Sequence, residues 1–129
     1  MGTPGRILIV DDEPPLLKMM GVYLTRKGFT VTTSERTDEA WKLVQAEPGA
    51  YSVAVLDGSM EGMSMEELAQ RLLSANPDMC VLAASGYPLD MSKLKEAAPG
   101  RVAFLLKPFS PEALATAVRG LIGKKEKDV

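Results

Sequence analysis

Short apolar segments recur along the chain, and each is followed by a stretch with helical periodicity. Most of these segments are apolar at every position rather than at alternate ones, which is typical of strands buried on both faces of a parallel sheet. The stretches between them carry apolar residues at helical spacing, as Leu17, Met20 and Leu24 do. This alternation predicts an α/β fold with helices on both faces of the sheet. Strands are predicted at residues 6–10, 29–33, 52–56, 79–84 and 101–106.

The predicted helices begin at residues that suit a helix N-terminus. Pro14 and Pro111 fit a first helical turn, and Ser64 precedes Glu67 with the spacing of a capping box. Thr37 and Ser110 suit the N-cap positions of the second and the last helix, and Gly123 is expected to end the last helix. The helices are predicted to begin near residues 14, 37, 65, 88 and 111.

Length and composition indicate a single globular domain. The chain has 129 residues, of which 46% are hydrophobic and 25% are charged, so it can bury a core of its own. We expect the domain to span residues 6–122, between a flexible N-terminus at residues 1–5 and a flexible charged tail at residues 123–129. No internal repeat or linker is evident within the predicted domain.

Charge and cysteine content exclude several classes of function. A net charge of −2 with no histidine provides no basic field for nucleic acid, so we expect no direct nucleic-acid binding. No apolar stretch is long enough to cross a bilayer, and we expect no membrane partner. Cys80 is the single cysteine and lies in an apolar run, which favours a buried side chain in a reducing compartment. We therefore expect a cytoplasmic protein.

Charged and hydroxyl side chains stand at the ends of four predicted strands. Asp11 and Asp12 follow the first strand, Asp57 follows the third, Ser85 follows the fourth, and Lys107 follows the fifth. The carboxyl ends of parallel strands meet at one edge of a sheet, so these groups are expected to converge there. Crowded carboxylates repel one another and require a counter-charge. Mg²⁺, or Mn²⁺ in its place, prefers oxygen ligands of this kind.

The arrangement assigns different tasks to these side chains. Asp11 and Asp12 form a metal-binding pair, whereas Asp57 stands alone beside Gly58, which leaves room for an incoming group. Asp57 is therefore the candidate nucleophile toward a phosphoryl donor. Lys107 can neutralise the transferring oxygens, and the hydroxyl of Ser85 can donate to one of them.

Taken together, these residues make the span from Arg6 to Ile122 resemble a response-regulator receiver domain of two-component signalling, like that of chemotaxis regulators. The resemblance rests on the order and spacing of the strand-end residues and on the Lys107-Pro108-Phe109 run. It implies a doubly wound (βα)5, flavodoxin-like three-layer sandwich with parallel sheet order 2-1-3-4-5. It also implies a cis peptide bond between Lys107 and Pro108.

The resemblance implies a function and a role for each site residue. Asp57 accepts a phosphoryl group from a kinase phosphohistidine, so the domain is a phosphoacceptor rather than a conventional enzyme. The metal ligands are Asp12, Asp57 and the backbone carbonyl of Ser59, while Asp11 contributes through water. Ser85 and Lys107 bind the phosphoryl group. Ser85 also forms a switch with Phe104, which turns inward and changes the surface of the fourth helix, fifth strand and fifth helix.

Partners and reaction rate are further expectations. The phosphoryl donor is expected to be a histidine kinase or a histidine phosphotransfer domain, and the segment from Ser85 to Pro88 resembles receivers attached to hybrid sensor kinases. The domain is expected to be a monomer or a phosphorylation-dependent dimer with an unidentified effector. Ser59 and Tyr87 each lie two residues beyond a pocket residue, so we expect them to gate the attacking water and tune the lifetime of the acyl phosphate.

Three other functions compete with this interpretation. A flavin or nucleotide carrier needs a glycine- and hydroxyl-rich loop after the first strand, where the acids Asp11, Asp12 and Glu13 would repel phosphate. An aspartyl phosphatase needs a second acid two residues after Asp57, where Ser59 stands. A degenerate receiver that binds partners without phosphorylation is the main alternative, and the complete set of site residues argues against it.

Overall fold

Five strands alternate with five helices in a computed structural model that describes residues 5–127. The strands are β1 (Arg6–Val10), β2 (Val31–Ser34), β3 (Tyr51–Asp57), β4 (Cys80–Ser85) and β5 (Val102–Leu106). The helices are α1 (Pro14–Arg26), α2 (Thr37–Ala46), α3 (Met65–Ala75), α4 (Ser92–Ala97) and α5 (Pro111–Lys127). Among these helices, none combines the length and the apolar character that a bilayer-crossing segment needs.

The strands form one parallel sheet in the order β2-β1-β3-β4-β5. This arrangement confirms the predicted fold class and strand order. The chain reverses its direction of winding between β2 and β3, which places β1 and β3 side by side at the centre. Ligands of doubly wound folds bind beyond the carboxyl ends of the strands at such a reversal.

Two hydrophobic cores explain why the strand sequences are apolar throughout. Successive side chains of a strand point to opposite faces. Ile7 and Ile9 of β1 therefore face α1 and α5, while Leu8 and Val10 face α2, α3 and α4. All four side chains are almost completely buried.

Three helix ends differ from the sequence predictions. The helix expected near residue 88 begins at Ser92, because the Asp90 carboxylate accepts hydrogen bonds from both the backbone N–H and the hydroxyl of Ser92 and forms a turn ahead of α4. Thr37 is the first residue of α2 rather than its cap, and Arg36 occupies the N-cap position. Helix α5 continues through Gly123 to Lys127, so the prediction that Gly123 ends it is wrong.

The N-terminal capping of α3 and α5 follows the sequence. The Ser64 hydroxyl accepts a hydrogen bond from the N–H of Glu67 at 3.1 Å, and Ser110 accepts one from Ala113 at 3.0 Å. The predicted domain limits stay a prediction, and residues 1–4 and 128–129 of the expected flexible ends lie outside the described residues.

At the opposite edge of the sheet from the strand-end acids, Arg101 connects the start of β5 to the end of α3 and the segment that follows it. Its guanidinium donates to the backbone carbonyls of Leu73, Asn76 and Met79 at 3.0, 2.6 and 2.9 Å. The carbonyls of Leu73 and Asn76 belong to the C-terminal end of α3, where carbonyl groups lack helical partners and a positive charge is favourable. Asn76 continues the network, because its side-chain oxygen accepts from the N–H of Gly49.

Replacement of Arg101 by methionine is expected to destabilise the fold by about 2 kcal/mol or more, because several partly buried carbonyls would lose a charged donor. Urea unfolding followed by circular dichroism measures the change. Arg36→Met is the matched control, since Arg36 pairs with the exposed Asp38 and its loss should alter stability little. Equal stability of the Arg101 and Arg36 variants would contradict this account of the network.

Candidate functional site

Three carboxylates meet at the carboxyl edge of the sheet. Asp11 and Asp12 follow β1, and Asp57 is the last residue of β3, which pairs directly with β1. Each of the three side chains places a carboxylate oxygen within 4.8 Å of an oxygen of each of the others. Asp11 and Asp57 are 1% and 4% exposed, whereas Asp12 is open to solvent. The cluster therefore has two buried acids and one at the mouth.

Lys107 bridges the two buried acids. It follows β5, and its Nζ donates to Asp11 Oδ2 at 3.0 Å and to Asp57 Oδ1 at 3.2 Å. The cis peptide bond expected between Lys107 and Pro108 is present. The sequence analysis missed Glu13, whose carboxylate lies 3.8 Å from the Lys107 amine and whose N–H donates to Asp11 Oδ1 at 2.9 Å. The run of three consecutive acids was the available signal for it.

The electrostatics of this cluster reflect burial competing with charge pairing. Burial raises the pKa of Asp11, and the nearby Asp57 carboxylate adds to the rise, although the Glu13 N–H and Lys107 oppose it. Burial acts to lower the pKa of Lys107, but its hydrogen bonds and charge interactions with Asp11 and Asp57 outweigh burial and raise that pKa. The amine is thus held in its charged form between the two acids.

The donor set fits a hard divalent cation. Carboxylate oxygens are the ligands that Mg²⁺ uses in proteins, and the exposed Asp12 leaves one side of the cluster open to water. The single amine of Lys107 supplies less positive charge than three carboxylates require. Asp11, Asp12 and Asp57 are therefore the residues that would hold the metal.

Ser85 lies at the end of β4, beside the acid cluster. It is fully buried, and its Oγ accepts a hydrogen bond from the N–H of Tyr87 at 3.3 Å. Gly58 was expected to leave room for an incoming group, but Leu89 and Ser85 occupy the space where its side chain would lie. A Cβ atom added at Gly58 would lie 2.8 Å from Leu89 Cδ1 and 3.1 Å from Ser85 Cβ. Gly58 therefore permits close packing of the chain segments after β3 and β4.

The other predicted site residues occupy distinct positions. Ser59 is exposed, and its N–H donates to Asp57 Oδ1 at 3.3 Å. The Tyr87 side chain is 58% exposed. Phe104 is partly buried against the core formed with α2, α3 and α4, opposite Ala83 of β4. Three assignments stay predictions: the Ser59 carbonyl as a metal ligand, Phe104 as a switch, and Ser59 and Tyr87 as rate-tuning residues.

A cleft of about 500 Å³ opens beside Asp12. The segment between β2 and α2 forms one wall through Arg36 and Thr37, and the segment between β3 and α3 forms the other through Met60 and Met63. The acid cluster is therefore reached from solvent along this side.

A parallel 2-1-3-4-5 sheet that carries a buried aspartate, an acid pair and a lysine at its carboxyl edge defines a class of signalling proteins. A family model for the response regulator receiver domain matches residues 7–119. The chain belongs to this family, as its sequence resemblance implied.

Relatives of the chain include stand-alone structures and parts of longer proteins. The response regulator TrrA of Thermotoga maritima, solved in complex with Mg²⁺-BeF, is 30% identical with a TM-score of 0.77, and the match covers 91% of this chain and 98% of that one. The probable transcriptional regulatory protein TcrX of Mycobacterium tuberculosis is 30% identical over 121 residues, or 94% of this chain and 51% of TcrX. The sensor kinase CckA of Brucella abortus is 31% identical, over 93% of this chain and 13% of CckA.

Replacement of Asp11 by asparagine is expected to stabilise the metal-free protein at pH 8. The folded-state pKa of Asp11 is raised, so the ionised carboxylate costs stability above that pKa and the cost disappears when acid protonates Asp11 in both states. Asparagine removes the charge and keeps one oxygen for Lys107, although its amide nitrogen cannot accept the hydrogen bond that the Glu13 N–H gives to Asp11. Urea unfolding in EDTA at pH 8 and at low pH measures the difference.

The exposed Asp12→Asn variant is the control for this comparison and should change less. A destabilised Asp11→Asn protein at pH 8 would mean that pairing with Lys107 outweighs the cost of burial.

Proposed function

We propose that this receiver domain is a phosphoacceptor switch in which Asp57 takes a phosphoryl group from a phosphohistidine. The observation that carries the proposal is the placement of Asp57 at the end of the central strand β3, within reach of two further carboxylates and hydrogen-bonded to Lys107. A buried carboxylate next to an opposite charge is positioned to act as a nucleophile at neutral pH. The complex of the relative TrrA with Mg²⁺-BeF supports the same chemistry.

The transfer is a displacement at phosphorus. A carboxylate oxygen of Asp57 forms a bond to phosphorus, the bond between phosphorus and the donor imidazole nitrogen breaks, and the imidazole retains that electron pair. Lys107 is held beside Asp57 and would follow the negative charge onto the phosphoryl oxygens. The hydroxyl of Ser85, whose Oγ accepts from the Tyr87 N–H, would donate its proton to one of these oxygens. Mg²⁺, or Mn²⁺, bound by Asp11, Asp12, Asp57 and the Ser59 carbonyl would supply charge neutralisation.

The output and the partners follow from this reaction class. The donor is proposed to be a histidine kinase or histidine phosphotransfer domain, and likeness to part of the sensor kinase CckA supports a kinase-linked setting. Movement of Ser85 and Phe104 would change the surface of α4, β5 and α5, where an effector or a second copy could bind. Direct binding of nucleic acid or membrane is not part of the proposal. The cytoplasm is the proposed compartment, in keeping with the single, buried Cys80.

Incubation with acetyl phosphate and Mg²⁺ is expected to add one phosphoryl group to the chain, as measured by intact-protein mass spectrometry. Asp57→Asn should abolish the added mass because the attacking oxygen is lost. Asp38→Asn, which removes an exposed acid of α2, serves as the matched control and should react like the natural protein. An Asp57→Asn variant that still gains the mass would refute the site. A natural protein that never gains it would favour the phosphorylation-independent receiver.

Substitution of Tyr87 or Ser59 by alanine is expected to change the half-life of the acyl phosphate severalfold. The exposed ring of Tyr87 lies two residues beyond Ser85, so its removal should admit water and shorten the half-life. Loss of phosphoryl mass over time after donor removal provides the measurement. Ser74→Ala, an exposed change on the last turn of α3, is the control for Ser59→Ala. Half-lives equal to that of the natural protein in both variants would remove the rate-tuning role.

A further inference from the structure

We propose that Leu89 is a positioning residue, and that its contact with Gly58 holds Ser85 in the arrangement of the unphosphorylated domain. The inference rests on the proposed phosphoacceptor function and adds a residue to which that function assigns no role. Leu89 lies in the β4–α4 segment, defined here as residues 86–91, which connects Ser85 to α4.

The observation behind this proposal is the tight packing around Gly58. An added Cβ would approach Leu89 Cδ1 to 2.8 Å, Ser85 Cβ to 3.1 Å and Ser85 Oγ to 3.4 Å. The φ angle of Gly58 is not positive, so the backbone does not require glycine there. Space is therefore the constraint: only a hydrogen at this position lets the Leu89 methyl group and the Ser85 side chain approach the residue that follows Asp57.

Two attachments hold the β4–α4 segment near its start and its middle. The first is the hydrogen bond from the Tyr87 N–H to Ser85 Oγ at 3.3 Å. The second is the partly buried Leu89 side chain, which lies on Gly58 and packs against the core formed with α2, α3 and α4. Gly86 and Tyr87 between these points are exposed. The position of Leu89 and the orientation of Ser85 are thus set by the same short segment.

This packing has a consequence for the reaction. Rotation of the Ser85 side chain about its Cα–Cβ bond would carry Oγ away from the Tyr87 N–H. Because Leu89 keeps the β4–α4 segment against Gly58, it keeps the Tyr87 N–H in the position from which it holds Ser85 Oγ. A two-state equilibrium shifts when a contact made in one state is removed. Loss of the Leu89 contact should therefore favour the arrangement in which Ser85 meets the phosphoryl oxygens.

A cleft of about 310 Å³ beside this contact gives the segment room to move. Gly58, Leu89 and Met91 line it, together with Met65 at the start of α3. A Leu89 side chain that leaves Gly58 can enter this space without displacing the backbone of β3 or β4.

The test compares Leu89→Ala, Gly58→Ala and the double variant. Leu89→Ala should speed hydrogen exchange of the Tyr87 amide and raise the rate of phosphorylation by acetyl phosphate, each by about fourfold, the factor that one buried methylene gives in an equilibrium constant. Gly58→Ala should speed Tyr87 exchange at least as much, because its Cβ displaces Leu89. Adding Leu89→Ala to Gly58→Ala should not speed Tyr87 exchange further, since the contact is already lost.

Controls separate positioning from a general loss of stability. Leu89→Met retains a flexible apolar side chain and should restore values near those of the natural protein. Gly120→Ala in α5 places a Cβ where no atom lies within 4 Å and should leave Tyr87 exchange unchanged. The affinity for Mg²⁺ alone should be the same in the two Leu89 variants and in Gly120→Ala, because neither Leu89 nor Gly120 belongs to the acid cluster.

The outcomes distinguish this inference from the proposed function. Additive effects of the two substitutions, or unchanged Tyr87 exchange in both single variants, would overturn the role of Leu89 while leaving Asp57 as the acceptor. Amide exchange needs no phosphoryl donor, so coupled changes in exchange would support the contact even if the natural protein accepted no phosphate.

Discussion

The crowding of three carboxylates at the centre of one sheet edge is the interaction on which this molecule's site depends. Two of these acids, Asp11 and Asp57, are buried, and burial of charge is costly unless a counter-charge is close. Lys107 provides that charge from the end of β5, 96 residues along the chain from Asp11. The attraction of Lys107 for the two acids therefore opposes the cost of burying them. A divalent cation or a phosphoryl group would change this opposition, as the proposed switch requires.

The fold separates these charged side chains from the hydrophobic cores and the hydrogen-bond network that stabilise it. Both cores lie between the sheet and the helices, and the Arg101 network fastens α3 and its neighbouring segments at the far edge. The Arg101 network does not include the segments after β1, β3, β4 and β5. Polar and charged side chains can consequently gather at their start without weakening the packing of the strands.

Short range and long range contacts meet at Gly58. This residue joins Asp57, the proposed acceptor, to the segment that leads into α3, and Leu89 from the segment that leads into α4 packs against it. In our proposal, a change at Asp57 reaches the surface through Leu89 as well as through the hydroxyl of Ser85. The family assignment explains why such a route matters, since receiver domains convert a change at one residue into a change of surface.

Much of this structure could be predicted from the sequence by itself. Apolar strands followed by helical periods gave the α/β class, and the strand-end positions of Asp11, Asp12, Asp57 and Lys107 gave the site, because parallel strands necessarily bring their carboxyl ends to one edge. The capping of α3 and α5 could also be predicted, since it depends on hydrogen bonds between residues three positions apart. These features follow from local spacing and from the topology that the strand pattern implies.

Only the tertiary structure decided the features that depend on distances between remote side chains. Three such contacts have no local sequence pattern, because each joins residues of separate connecting segments. They are the approach of Glu13 to Lys107, the binding of three carbonyls by Arg101, and the packing of Leu89 against Gly58. The sequence pattern also failed to predict two helix ends. Helix α4 starts late because the Asp90 side chain binds the backbone ahead of it, and α5 continues through Gly123 because glycine alone does not end a helix. The sequence thus determined which groups reach the edge of the sheet, and packing determined which of them touch.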